Sequence, residues 1–157
     1  MNIVFLDIDG VVCNHRVCWA RPRGVQELSS QAWIDPISVA AVNRICMDAD
    51  AKLVVSSTWK SYPNIDVILR TMGILADFHP SMITPGGGGF RGDSLVLWED
   101  ENGKPKNYVI LDDCSDFHPF QKPHLVLTDP EDGILTRHIK QALEIFGLHQ
   151  SSDLLIM

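Results

Sequence analysis

Four short runs of apolar residues punctuate the chain: IVFLDI at 3–8, KLVVSS at 52–57, YVILDD at 108–113 and HLVLTD at 124–129. Each is rich in Val, Ile and Leu and lacks polar alternation, the pattern of strands covered on both faces of a parallel sheet. Each also ends in Asp, Ser or Thr. Open α/β sheets place their ligands at the carboxyl ends of their strands, so this is where chemistry is expected. Helical patterns fill the intervals. Asp35-Pro36 offers an N-cap and a first-turn proline for a helix to about Met47, with Ile37, Ala41, Val42 and Ile45 on its buried face. A second helix is expected over 64–72, stopped by Gly73, and a third from Gly92 or Asp93 to about Glu99. A fourth carries the stripe Leu135, Ile139, Ala142, Leu143 and Phe146 and stops at Gly147. Strands alternating with helices predict a doubly wound α/β domain with helices on both faces.

Two stretches interrupt the alternation. Residues 13–34 (CNHRVCWARPRGVQELSSQAWI) form a long polar connection holding Trp19, Trp33, Arg16, Arg21 and Arg23, and residues 85–92 (PGGGGFRG) are too glycine-rich for regular structure. The GGGG run lacks the lysine and Ser/Thr of a P-loop and is expected to be a flexible turn. No repeat recurs and no linker divides the chain, so residues 1–157 are expected to form one domain.

The net charge of −7 argues against a broad nucleic-acid-binding surface and leaves room for a local basic groove. Cys13, Cys18, Cys46 and Cys114 form no CxxC pair and are expected to be reduced thiols. The apolar N-terminal run stops at Asp7 without a preceding basic region, so no signal peptide is expected. No segment approaches the roughly 20 apolar residues of a membrane span. The expected compartment is the cytoplasm.

The carboxylates carry the chemistry. Asp7 and Asp9 stand one residue apart at the tip of the first strand, and Asp112 and Asp113 end the third run. Strand-end solvation and helix capping would account for Asp7 and Asp9 taken alone. Four carboxylates at neighbouring strand tips repel one another, and burial aggravates the repulsion, so a hard divalent cation is expected. Oxygen ligands favour Mg²⁺ over zinc, and the six histidines show no HxH or HExxH spacing. Gly10 permits a sharp turn after Asp9, and Ser56 adds a hydroxyl able to donate to an anion.

Taken in order, LDIDGVV, VVSSTW and VILDD resemble motifs one, two and four of the haloacid dehalogenase (HAD) superfamily of phosphohydrolases. The resemblance spans about residues 2–129 and implies a three-layer Rossmann-like fold. It also implies that Asp7 is a nucleophile forming an aspartyl-phosphate and that Asp9 is the general acid and base. Mg²⁺ would be held by Asp7, the Asp9 backbone carbonyl and Asp112, with Asp113 acting through water or by orienting the other ligands. Ser56, with Ser57 and Gly10 beside the phosphate, would complete its binding. Family members that cleave C–Cl or C–P bonds usually lack the second Asp, so Asp9 indicates phosphate esters. The third-motif cation is expected to be Arg91, 21 residues before Asp112, with Lys60 and Lys104 as alternatives.

In this superfamily an insertion after motif one can serve as a cap, and here residues 13–34 would make a minimal one. Trp19 with Arg16, Arg21 and Arg23 would stack a base and contact phosphate there, if the loop is not simply solvated. With LVLTDPEDGIL added, the motifs are similar to small phosphatase-type domains of RNA-repair proteins and phage-like genomes. The implied substrate is a nucleotide or the phosphorylated end of a polynucleotide. A small-molecule phosphatase, acting for example on sugar phosphates, and a non-catalytic phosphate-binding domain are the competing readings. No membrane association and no stable protein partner are expected.

Overall fold

In the computed structural model, which describes residues 1–20, 34–86 and 89–148, the first apolar run forms the central strand β1 (Asn2–Leu6). It pairs in parallel with β2 (Ala51–Val55) on one side and β4 (Asn107–Asp112) on the other. An edge strand β3 (Phe78–Ile83) lies outside β2, and β5 (Leu125–Leu127) lies outside β4, giving the parallel order β3-β2-β1-β4-β5. The chain therefore builds outwards from β1 to β3, then returns across the sheet to β4. The crevice between the carboxyl ends of β1 and β4 is the topological switch point, where such sheets bind ligands.

Alternation of side chains sorts the buried strands between two layers. Val4 and Leu6, with Leu53, Val55, Val109, Leu111 and Val126, face α2 (Pro36–Ala49), α3 (Ile65–Thr71) and α5 (Thr136–Ile145). Ile3, Phe5, Val54 and Ile110 face the opposite way, against Leu95 and Trp98 of α4 (Arg91–Asn102) and against Phe117. Trp98 meets Phe5 edge-on at 5.3 Å, and its indole N–H donates to the Ser81 carbonyl at 2.9 Å. The three-layer α/β architecture is the expected one. No helix among the described residues is long and apolar enough to cross a membrane.

Several local details differ from the sequence pattern. β3 was not expected, because Pro80 removes a ladder donor in the middle of FHPSMI; at a sheet edge that loss is tolerated. A short helix, α1 (His15–Ala20), occupies the start of the polar connection. The third helix begins at Arg91 and runs on to Asn102, with Trp98 supplying the buried contact. Ile37 is 72% exposed instead of buried, since the inward stripe of α2 runs through Ser38, Val39, Ala41, Val42, Ile45, Cys46 and Ala49. Along α5 the fully buried positions are His138, Ala142 and Leu143, with Ile139 and Phe146 only partly covered.

Trp98 is the main filling of the thinner layer, so Trp98→Ala should cost about 3–5 kcal/mol of unfolding free energy through cavity formation. Chemical denaturation would measure this. A loss under about 1 kcal/mol would mean that the α4 layer relaxes around the vacancy and does not brace β1.

Candidate active site

The residue after each strand continues the hydrogen-bonded ladder by one step. The Asp7 N–H donates to Leu111 O (2.9 Å), Ser56 N–H to Leu6 O (2.9 Å), Thr84 N–H to Val55 O (3.0 Å) and Thr128 N–H to Asp112 O (2.9 Å). The polar termini of all five strands are thereby held in one row across the top of the sheet. Asp7 and Asp112, from the two strands flanking the switch point, are its centre.

Asp7, Asp112 and Asp113 each present an oxygen within 4.8 Å of the others. Asp7 and Asp112 are buried. Burial, then the charge of Asp112, pushes the Asp7 carboxyl up to about 8, and burial pushes Asp112 up to about 6. Among the described residues one cation answers them: Arg91 Nη1 lies 3.1 Å from Asp112 Oδ2 and 3.8 Å from Asp7 Oδ1. Although burial works against the charge of Arg91, the carboxylates outweigh it and hold its pKa above the ordinary value. Asp112 also accepts from the Cys114 N–H at 2.9 Å. Asp7 Oδ2, by contrast, is a buried oxygen with no hydrogen-bond partner among the described residues. Three hard oxygen donors, one orphaned acceptor and a single guanidinium fit a divalent cation well.

Arg91 is delivered by the first turn of α4, which is stapled to the loop after β4. The Gly92 N–H donates to Asp116 O (3.0 Å), and the Gln121 amide donates to Gly92 O (2.9 Å) while accepting from the His118 N–H (2.9 Å). A Cβ at Gly92 would collide with Gln121 and His118, so this close approach requires glycine. Of the other expected cations, Lys60 donates to Thr84 Oγ1 at 3.2 Å beside the same cleft. Lys104 lies past the far end of α4 and does not join the cluster.

Asp9 sits apart from the three clustered carboxylates, exposed, with its Oδ2 accepting from the Trp59 indole N–H at 3.1 Å. Gly10 turns the chain with φ +81°, and a Cβ there would strike the Asp113 carboxylate. Thr128 clamps this turn by donating to Gly10 O at 2.7 Å. The two serines after β2 diverge. Ser57 Oγ accepts from the Trp59 N–H as cap of a short 3₁₀ turn, whereas the buried Ser56 Oγ has no partner. Cys13 lines the cavity beside Asp9, and burial, then the Asp9 charge, pushes its thiol up to about 12, so it stays protonated.

The polar connection is represented by α1 and the residues before it. Arg16 pairs with Asp35 (3.1 Å), and its backbone and that of His15 hang from Glu131 and Pro130. Trp19 is 84% exposed. Arg21, Arg23 and Trp33, and with them most of the expected cap, lie outside the described residues. Thr84 was not anticipated, because the strand that delivers it was not. Thr128 carried a legible signal as the polar end of HLVLTD.

A family model described as the HAD domain in Swiss Army Knife RNA repair proteins matches residues 3–139. Neither curated proteins nor solved structures gave a match.

Because the folded-state pKa values of Asp7 and Asp112 are raised, the metal-free fold binds more protons than the unfolded chain. Stability from these groups is complete below their ordinary pKa of 3.8 and is lost as pH rises through about 6 and about 8. In chelator, Asp7→Asn should therefore gain stability relative to wild type as pH is raised from about 4 to about 8. Denaturant midpoints at several pH values give the difference directly. A pH-independent difference would mean that Asp7 ionises without strain.

Proposed function

This chain belongs to the family of HAD domains in Swiss Army Knife RNA repair proteins, and from that premise we propose that it is a Mg²⁺-dependent phosphomonoesterase working through an aspartyl-phosphate. The observation that carries the reading is the buried Asp7 carboxylate, with one oxygen unpartnered, set against Arg91, Asp112 and Asp113 and one strand away from the unpartnered Ser56 hydroxyl. A carboxylate kept desolvated and oriented is a competent nucleophile, and an unspent hydroxyl is a ready donor to a phosphoryl oxygen.

In the first displacement an Asp7 oxygen attacks phosphorus and the bond to the ester oxygen breaks. Asp9 gives its proton to that leaving oxygen, and the product alcohol departs. In the second, Asp9 takes a proton from water, the water oxygen attacks phosphorus, and the Asp7 carboxylate is released with inorganic phosphate. The indole N–H of Trp59 holds the Asp9 carboxyl in one orientation through both steps. Arg91 offsets part of the negative charge as phosphate meets carboxylate, and Ser56 donates to a non-bridging oxygen. Mg²⁺ held by Asp7 and Asp112, with Asp113 and the Asp9 carbonyl, would supply the remaining positive charge.

The substrate class proposed is a nucleotide or the phosphorylated end of a polynucleotide, supported by the RNA-repair setting of the family. A small-metabolite phosphatase is the second reading. It is favoured by a cavity of about 450 Å³ beside Asp9, walled by Cys13, Asn14, His15, Cys18 and Trp59, which suits a compact organic group.

Asp7→Asn should abolish turnover on p-nitrophenyl phosphate, mononucleotides and phosphorylated oligonucleotides while leaving the circular dichroism spectrum unchanged. Retention of wild-type activity would remove the covalent route. Mg²⁺ should be required, chelator should stop the reaction, and Asp112→Ala should raise the Mg²⁺ concentration needed for half-maximal rate by at least about ten-fold. Rates indifferent to chelator would refute the metal assignment.

A further inference from the structure

A second cleft, separate from the cavity beside Asp9, is lined by residues that flank Trp59 in sequence. Its volume is about 690 Å³, and its walls include Ser56, Thr58, Lys60, Thr84, Phe90 and Arg91. It thus shares Ser56 and Arg91 with the reaction centre and continues away from it. Two features of this cleft have no role in the chemistry described above.

The first is Lys60. Arg91 is engaged by Asp112 and Asp7, yet Lys60 has only the neutral Thr84 hydroxyl as its hydrogen-bond partner among the described residues. Burial, then the positive charge of Arg91, depresses its pKa. A partly desolvated ammonium facing hydroxyls, with no carboxylate beside it, lacks an anion.

The second is an aromatic ridge that starts at Phe90 in the wall of the cleft. Phe90 is 40% exposed and Phe120 60% exposed, and neither belongs to the hydrophobic core. Between them stands His118, its ring edge-on to Phe90 at 4.7 Å and parallel to Phe120 at 5.3 Å. His118 Nε2 is fixed to Asp93 Oδ1 at 2.7 Å. Three partly exposed rings ordered by one another, the first of them in the cleft that Lys60 also lines, make a stacking platform. Backbone cations combined with exposed rings are how proteins hold single-stranded nucleic acid.

We propose that this cleft is a strand-binding subsite for the end of a single-stranded polynucleotide, taking the phosphodiester next to the reacting phosphate on Lys60 and a base against the Phe90–His118–Phe120 ridge. The inference rests on the phosphatase reading for which phosphate reacts. The leaving oxygen faces Asp9, which Trp59 holds, so the terminal nucleoside lies beside Trp59 and the strand continues from it into the cleft that Lys60 lines. A free mononucleotide has no second phosphate for Lys60, and a sugar phosphate has no base for the ridge. With the chain at −7 overall, a broad polyanion-binding surface is disfavoured, so recognition of an end is favoured over coating of a strand.

The test compares wild type with Lys60→Gln, Phe90→Ala and Phe120→Ala. Substrates are p-nitrophenyl phosphate, a mononucleotide, a nucleoside bisphosphate and a single-stranded oligonucleotide with a terminal phosphate. Each variant should lose about five-fold or more in kcat/KM on the oligonucleotide, within the range of one stacked base or one phosphate contact. Hydrolysis of p-nitrophenyl phosphate should change less than about two-fold, which separates strand binding from a disturbed Arg91. The dependence of oligonucleotide KM on salt should be shallower in Lys60→Gln. Equal losses on both substrates, or no loss on the oligonucleotide, would overturn the subsite. So would a nucleoside bisphosphate hydrolysed as well as the oligonucleotide, since the second base, the one the ridge would hold, would then contribute nothing.

Binding of a fluorescent phosphorylated oligonucleotide to the turnover-deficient Asp7→Asn protein, alone and combined with Lys60→Gln or Phe120→Ala, reads the cleft without catalysis. Weaker binding in the combined variants supports the subsite even if wild type hydrolyses nothing, an outcome that would sink the phosphatase reading alone. Unchanged binding overturns the subsite whatever the activity.

Discussion

The crowding of three carboxylates around one guanidinium is the constraint on which the rest of this structure depends. Asp7 and Asp112 occupy adjacent places at the tips of adjacent parallel strands because Leu6 pairs with Leu111 and the ladder continues for one more residue. Side chains projecting into a cleft in this way lose solvent, and each then resists the ionisation of the other. Arg91 relieves part of the repulsion, and the unpartnered Asp7 oxygen marks what it leaves unrelieved. Such a site costs stability unless something positive binds there.

Much of the surrounding architecture keeps this unfavourable cluster in place. β1 is hydrogen-bonded on both edges and covered on both faces, so Asp7 cannot retreat without breaking the sheet. Trp98 fixes α4 against Phe5, and Gln121 ties the first turn of α4 to the loop after β4, which together hold Arg91 over the two aspartates. On the other side, the glycine turn after Asp9 admits the Asp113 carboxylate where any other residue would exclude it, and Thr128 locks that turn. Rigid elements thus bear the charged groups, the arrangement expected where positioning does most of the chemical work.

Around that centre the two cavities differ in character. Toward Asp9 the walls are mostly apolar, with a protonated cysteine and the edge of the indole. Toward Arg91 they are hydroxyls, a lysine and a phenylalanine. A phosphomonoester has a single organic substituent, so in the proposed reading the leaving nucleoside and any strand attached to it extend from the phosphate together. Trp59 lines the first of these cavities, and its indole N–H also orients the proposed acid.

The parallel α/β sheet and the gathering of Asp7, Asp112 and Ser56 at its carboxyl ends were legible in the chain, because unbroken Val/Ile/Leu runs ending in polar residues have few other solutions. Local patterns failed where a neighbour in space decides. Pro80 masks a strand that only an edge position permits, and Ile37 joins the solvent side because Ser38 takes the place beside Asp35. Motif spacing alone left three basic residues open for one role. The packing of α4 brings Arg91 to the aspartates, leaves Lys60 in the neighbouring cleft and sends Lys104 to the opposite end of the helix. Ser56 and Ser57 are likewise indistinguishable as letters, and the 3₁₀ turn after them engages one hydroxyl oxygen and leaves the other unpartnered. Periodicity and strand-end chemistry are properties of a few consecutive residues, so the sequence determines them by itself. Which charges meet, which hydroxyl stays unpaired and which rings assemble at a cleft depend on segments tens of residues apart, and only tertiary packing brings those together.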